Sequence, residues 1–122
     1  MNQQAHSYRE QGITFLAQAS AELARNDLQQ ASEKGWGAAA QMAKAVASER
    51  SWPHTDHRAL YQVVGRLADE VGDQEVRRLF AIAGQLHTNF YEGWLSHADI
   101  ELLIGDVNKF VDRVDAVLTN GA

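Results

Sequence analysis

Apolar side chains recur at helical spacing along nearly the whole of this 122-residue chain, and the pattern breaks at only four places. A repeat near 3.6 residues lays an apolar stripe down one side of a helix, and that stripe has to be buried against another element. The chain therefore reads as a set of amphipathic helices joined by short connections. Composition agrees, because one proline and nine scattered glycines disfavour an all-β sandwich with its frequent Gly/Pro turns. Hydrophobic residues make up 45% of the chain, enough for a core and too many for a disordered segment. At this length the expectation is one compact domain over residues 1–122.

The first helix is expected over residues 5–25, with Tyr8, Phe15, Leu16, Ala19 and Leu23 on one face. Asn26 and Asp27 then punctuate, Asn as a helix end and Asp27 with Gln30 as a capping box for the next helix. That second helix, residues 27–48, turns Leu28, Ala31, Gly35, Ala38, Ala39, Met42 and Val46 inward. Gly35 and Gly37 each cost about 1 kcal/mol against alanine in a helix. Such a cost predicts close approach of another backbone, with Trp36 filling the space alongside. Residues 49–56 form the one clear loop, since Pro53 disfavours helix at Trp52, and Thr55 or Asp56 caps the third helix. This third helix spans 56–71, and Gly72 and Asp73 pair a left-handed stop with a new N-cap. The fourth covers 73–92 and stops at Gly93 or Ser96; Ser96 and Asp99 resemble a capping box for the fifth, 97–119. The fifth has the cleanest stripe, Ile100 through Leu118, and the tail Thr119–Ala122 is expected to fray. Helices of this length with short connections predict an all-α, antiparallel up-and-down bundle of four to five helices.

Several function classes drop out. Sixteen acidic against eleven basic residues give a net charge of −5, so no extensive nucleic-acid surface is expected. The absence of cysteine removes disulfides, thiolate zinc sites, iron–sulfur clusters and cysteine nucleophiles. The opening MNQQAHSYRE lacks the apolar core of a signal peptide, and the alanine-rich stretch Gly35–Ala47 is too short and too polar to span a membrane. A cytoplasmic protein without membrane contact is the expectation. No Walker loop, GxSxG elbow, HExxH or dinucleotide fingerprint is present.

Three places carry residues suited to chemistry. His87 and Tyr91 are four apart, hence on one helical face, where an imidazole and a phenol can line a polar pocket. Lys34 and Trp36 suit a phosphate and a stacked base. The loop gathers Arg50, His54, His57 and Arg58 beside Trp52, the one local positive cluster. His54 and His57 flank Asp56 as a candidate metal pair, but a third ligand would have to come from His6, His87, His97 or a carboxylate. No metal or other cofactor is expected. Each place also has an unspecialised reading: a half-buried histidine, a solvated lysine beside a core tryptophan, and a solvated connection.

Taken together, the first amphipathic helix, the stretch ARNDLQQASEKGWGAAAQMAKAVA and the later LHTNFYEG resemble the PaREP family of small proteins, grouped with the HEPN-like helical bundles. The resemblance runs from about Tyr8 to Val114. It implies a compact HEPN-like bundle that is usually dimeric. Broader relatives include nucleotide-binding modules, partners of small nucleotidyltransferases, and metal-independent ribonucleases.

The ribonuclease branch places an arginine four to six residues before a histidine; the histidine moves protons and the arginine neutralises phosphorane charge. Before His87 the required positions hold Phe80, Ala81 and Ile82, while Arg77 and Arg78 lie too far back. Arg50 and His57 satisfy the spacing but flank Pro53. The leading expectation is thus a non-catalytic bundle that homodimerises and binds a nucleotide or a protein partner of nucleotidyltransferase type. Its ligand residues would be Lys34, Trp36, His87 and Tyr91. The alternative is a toxin-like endoribonuclease using Arg50 and His57. Dimerisation is expected also from the small size and from the unbroken stripe of the fifth helix.

Overall fold

A computed structural model describes residues 1–120 and contains five helices: α1 (Gln3–Ala24), α2 (Leu28–Arg50), α3 (His57–Val71), α4 (Gln74–Glu92) and α5 (His97–Asn120). The all-α bundle predicted from the apolar spacing is the fold observed. Its helix ends are set by the polar residues the sequence offers. Asp56 caps α3 by accepting from the Ala59 N–H at 2.8 Å, and Asp73 caps α4 by accepting from Glu75. Gly72 and Gly93 take left-handed conformations at the ends of α3 and α4. Ser96 and Asp99 form the reciprocal box at the start of α5: each side chain accepts from the other's backbone N–H, at 3.1 and 3.0 Å. The box at Asp27 is one-sided, because the Asp27 N–H is taken by the Glu22 carbonyl.

Two ends differ from expectation for local reasons. The first helix starts at Gln3, since Asn2 accepts from the Ala5 N–H at 2.7 Å and donates from its amide to the Ser48 carbonyl at 3.1 Å. One side chain thus closes the start of α1 and the end of α2. The second helix runs to Arg50 because Ser51, not a glycine, takes the left-handed position, with φ 59°. The last helix continues through Asn120; Gly121 and Ala122 of the expected frayed tail lie outside the described residues.

One apolar core is shared by all five helices, and α2 contacts each of the other four. On α1 the small residues Ala5, Gly12 and Ala19, spaced by seven, are buried, and Gly12 lies against Met42 and Ala38 of α2. The larger residues expected to be the inner face of α1, Tyr8, Phe15 and Leu16, sit half-buried at its rim. The close backbone approach expected at Gly35 and Gly37 occurs instead at Gly12, where a Cβ would lie 3.2 Å from the Ala38 carbonyl. At Gly35 and Gly37 the space is filled by side chains, Leu86 and Phe15. By contrast, α3 packs only against α2 and α4. No helix among the described residues is long and apolar enough to cross a membrane.

Candidate functional site

The second helix is apolar on most sides but carries one mixed stripe. Glu33, Trp36, Gly37, Gln41 and Lys44 fall on neighbouring turns at three- or four-residue steps and so share a face. Across from that stripe lies the end of the α2–α3 connection, His54 through His57, with Phe15 of α1 closing one side. Together they enclose an open cleft of about 320 Å³. Capping by Asp56 fixes the start of α3 and thereby places His57 at the cleft wall.

Behind that wall the imidazoles and aromatic rings converge. Trp36 is 5% exposed, and its ring centre lies 5.3 Å from those of His57, Phe80 and His87. His57 and His87 meet edge-on at 4.7 Å, and Tyr91 meets His87 edge-on at 5.4 Å while remaining 72% exposed. The structure thus unites three of the four predicted ligand residues, Trp36, His87 and Tyr91, and adds His57 to them. Trp36 borders the cleft but is too deeply buried to serve as a stacking surface; the other rings that border it are Phe15, His54 and His57. Lys34 lies elsewhere, with its ammonium 4.6 Å above the Phe15 ring.

Two buried polar atoms here have no hydrogen-bond partner among the described residues: Glu33 Oε2 and His87 Nδ1. A buried polar atom without a partner costs on the order of 1–3 kcal/mol. Such atoms are rare in native proteins, where a water, an ion or a ligand commonly supplies the partner. Glu33 lines the cleft and His87 packs against Trp36, so both belong to this side of α2.

The remaining candidates are dispersed. The Arg50 guanidinium donates to Glu70 Oε2 at 2.7 and 3.0 Å and lies 5.6 Å from the Trp52 ring, whereas His57 turns inward to Trp36 and His87. The two members of the predicted arginine–histidine pair are therefore held by different partners. His54 turns its Nδ1 to the Trp52 carbonyl at 3.0 Å and its ring edge to Tyr8, away from His57's contacts. His6 lies near Glu10, and His97 reaches the Leu23 carbonyl at 3.1 Å. Among the described residues, no three histidines or carboxylates come together as metal ligands.

Sequence reasoning missed Glu33 and Lys44. A signal for both was present: they are eleven residues apart, three helical turns, and so share a face of an otherwise alanine-rich helix.

Comparison with known proteins adds family and fold. The profile of the archaeal PaREP1/PaREP8 family matches residues 7–111. A crystal structure of a Sulfolobus solfataricus protein is similar over 97% of this chain and 98% of its own, with a TM-score of 0.74 and 24% identity. At that identity the likeness speaks to fold. No curated protein matches the chain.

Proposed function

This chain belongs to the archaeal PaREP1/PaREP8 family, and from that premise and the α2–α3 cleft we propose that it is a non-catalytic binding module for a nucleotide. The observation that carries the reading is Glu33 Oε2, a buried acceptor without a donor in a cleft that also presents Lys44, His54 and His57. A carboxylate oxygen in that position takes the exocyclic amine of a nucleobase. The heterocycle lies beside Phe15 and His57. The phosphate is met by the Lys44 ammonium, since the N-terminal end of α3 is already capped by the Asp56 carboxylate. This arrangement selects amino-bearing bases over uracil.

Calorimetric titration with AMP, CMP, GMP and UMP tests it. Binding of the first three is expected, weaker binding of UMP, and a loss of about tenfold in Glu33→Gln and in Lys44→Ala, the size of one charge-assisted hydrogen bond. Absence of heat with all four nucleotides at millimolar concentration contradicts the reading. RNA cleavage abolished by His57→Ala would replace it with the endoribonuclease alternative.

Homodimerisation is the second part of the proposal. It draws nothing from the α5 stripe, because Ile100, Ile104, Val107, Phe110, Val111, Val114 and Leu118 are all buried within one chain. What remains for a second copy are exposed apolar side chains, of which Tyr91, Trp94 and Leu102 are the most exposed among the described residues. Light scattering at micromolar concentration, with Trp94→Ser and Leu102→Ser as variants, decides it: a dimer dissociated by these changes supports it, and a wild-type monomer ends it.

A further inference from the structure

The outward face of α3 forms a second polar surface, separate from the cleft. Arg58, Gln62 and Arg66 are set at four-residue steps, with Arg58 and Arg66 about 12 Å apart along the axis. They border a shallow groove with Asp69 of α3 and Arg77 of α4, three arginines against one carboxylate in a chain whose net charge is −5. Asp69 is already engaged by Arg77 and Gln74. Among the described residues, neither Arg58 nor Arg66 has a hydrogen bond or ion pair; Arg66 instead lies 4.3 Å over the Trp52 ring. Stacking on an aromatic face holds a guanidinium in a fixed plane and leaves its N–H fork free for a carboxylate or phosphate.

Next to Gln62 and Arg66 is a small apolar pocket of about 90 Å³, with Trp52, Pro53, Ala59 and Val63 around it. Its volume is roughly that of three water molecules, room for one branched aliphatic side chain. Ala59 and Val63 lie on the turns between Arg58 and Arg66, so an apolar anchor placed there has a cation on either side along the helix.

We propose that this face docks an extended acidic segment of a partner protein, with an aliphatic side chain in the Trp52–Val63 pocket and carboxylates on Arg58 and Arg66. In an extended strand, residues i, i+2 and i+4 point to one side, and four residues span about 13 Å. The pattern acidic–x–aliphatic–x–acidic therefore matches the spacing of the two arginines. A nucleic-acid strand fits less well. Trp52 is covered by Arg66, which leaves the 45% exposed Tyr61, set edge-on to Phe80 with its hydroxyl at Gly84, as the one ring of the groove for a base, and a strand needs successive rings to stack on.

Amide chemical shifts of the labelled protein test the proposal by titration with an octapeptide. The probe carries glutamates at its third and seventh positions and leucine at its fifth. Saturable shifts at Ala59, Gln62, Val63 and Arg66 are expected. Replacing the peptide's leucine by alanine, or using Arg66→Gln, is expected to weaken binding about tenfold, the scale of one lost anchor or charged contact. Arg58→Gln, whose side chain holds nothing else in place, repeats the test without disturbing Trp52. The proposal is overturned if the peptide shifts none of these residues at several millimolar. It also falls if both arginine variants bind as tightly as wild type, or if an eight-residue oligothymidylate shifts the same amides more strongly than the peptide.

Discussion

Where α1 meets α2, glycines let the helices close up, with Met42 over Gly12 and Phe15 over Gly37; where α3 meets α2 and α4, rings stand beside the aliphatic residues Leu60, Val63, Val64 and Leu67. Ala5, Gly12 and Ala19 let the α1 backbone settle against Ala38 and its neighbours, and little space is left between the two helices. The other side depends on Trp36, His57, Tyr61, Phe80 and His87, whose ring centres lie 4.7 to 5.3 Å apart. Four of these five rings, all but Phe80, bring a polar group with them. The cleft, the buried atoms without partners and the arginine face all adjoin α3, and α1 reaches the cleft through Phe15.

The largest effect expected from this contrast is at Phe80, which is fully buried and touches Trp36, Tyr61 and Phe110. Phe80→Ala is expected to cost about 3–5 kcal/mol in chemical denaturation. A cost below about 1 kcal/mol would mean that the ring cluster does not hold α3. Next is Gly12→Val on the opposite side. Its Cβ would fall 2.9 Å from Met42 Sδ and 3.2 Å from the Ala38 carbonyl. Met42 can shift and the carbonyl cannot, so a loss of about 1–3 kcal/mol is expected. A neutral or stabilising change would show that the seam has slack.

The helix ends around α3, α4 and α5 were readable from the sequence because each depends on a few neighbouring residues, unlike the Asn2 start of α1 and the Ser51 end of α2. Gly72, Asp73 and Gly93 act as expected, as do Ser96 and Asp99. The face of α1 was not readable in the same way. Ala19 and Leu23 of the expected face are buried, but Tyr8, Phe15 and Leu16 are not, and Ala5 and Gly12 are buried in their stead, because the approach of α2 favours small side chains over bulky ones. The site was partly legible for a similar reason. Trp36, His87 and Tyr91 drew attention by type and spacing, whereas Lys34 and Lys44 look alike in sequence. Only the rotation of α2 in the bundle decides that Lys44 faces the cleft and Lys34 the ring of Phe15. Arg50 and His57 had the right separation, but separation across a loop does not fix direction, and Glu70 draws the arginine away.

Smaller effects refine the contrast. Asp56→Ala removes the cap of α3 and is expected to cost about 1 kcal/mol. The loss should appear as faster amide exchange within α3, with α1 and α2 unaffected; equal acceleration everywhere would mean that α3 does not open on its own. The smallest effect concerns Asp99. The Ser96 backbone N–H, then its hydroxyl, hold the Asp99 carboxyl below its ordinary value. A carboxyl lowered in the folded state stabilises above its unfolded pKa, and that contribution disappears as pH falls through the folded value. Melting temperature should therefore fall less steeply on acidification below about pH 4 in Asp99→Asn than in wild type. An unchanged acid limb would show that the box has no electrostatic share in stability.

Hydrogen exchange read by mass spectrometry, with and without AMP, tests the contrast between the two sides of α2 and the role of the cleft most directly. Residues 54–71 are expected to exchange faster than α2, and the nucleotide to slow exchange there and along 33–44 while the α1–α5 contact is unchanged. Protection of α3 equal to that of α2, or slowing confined to α1 and α5, would contradict both.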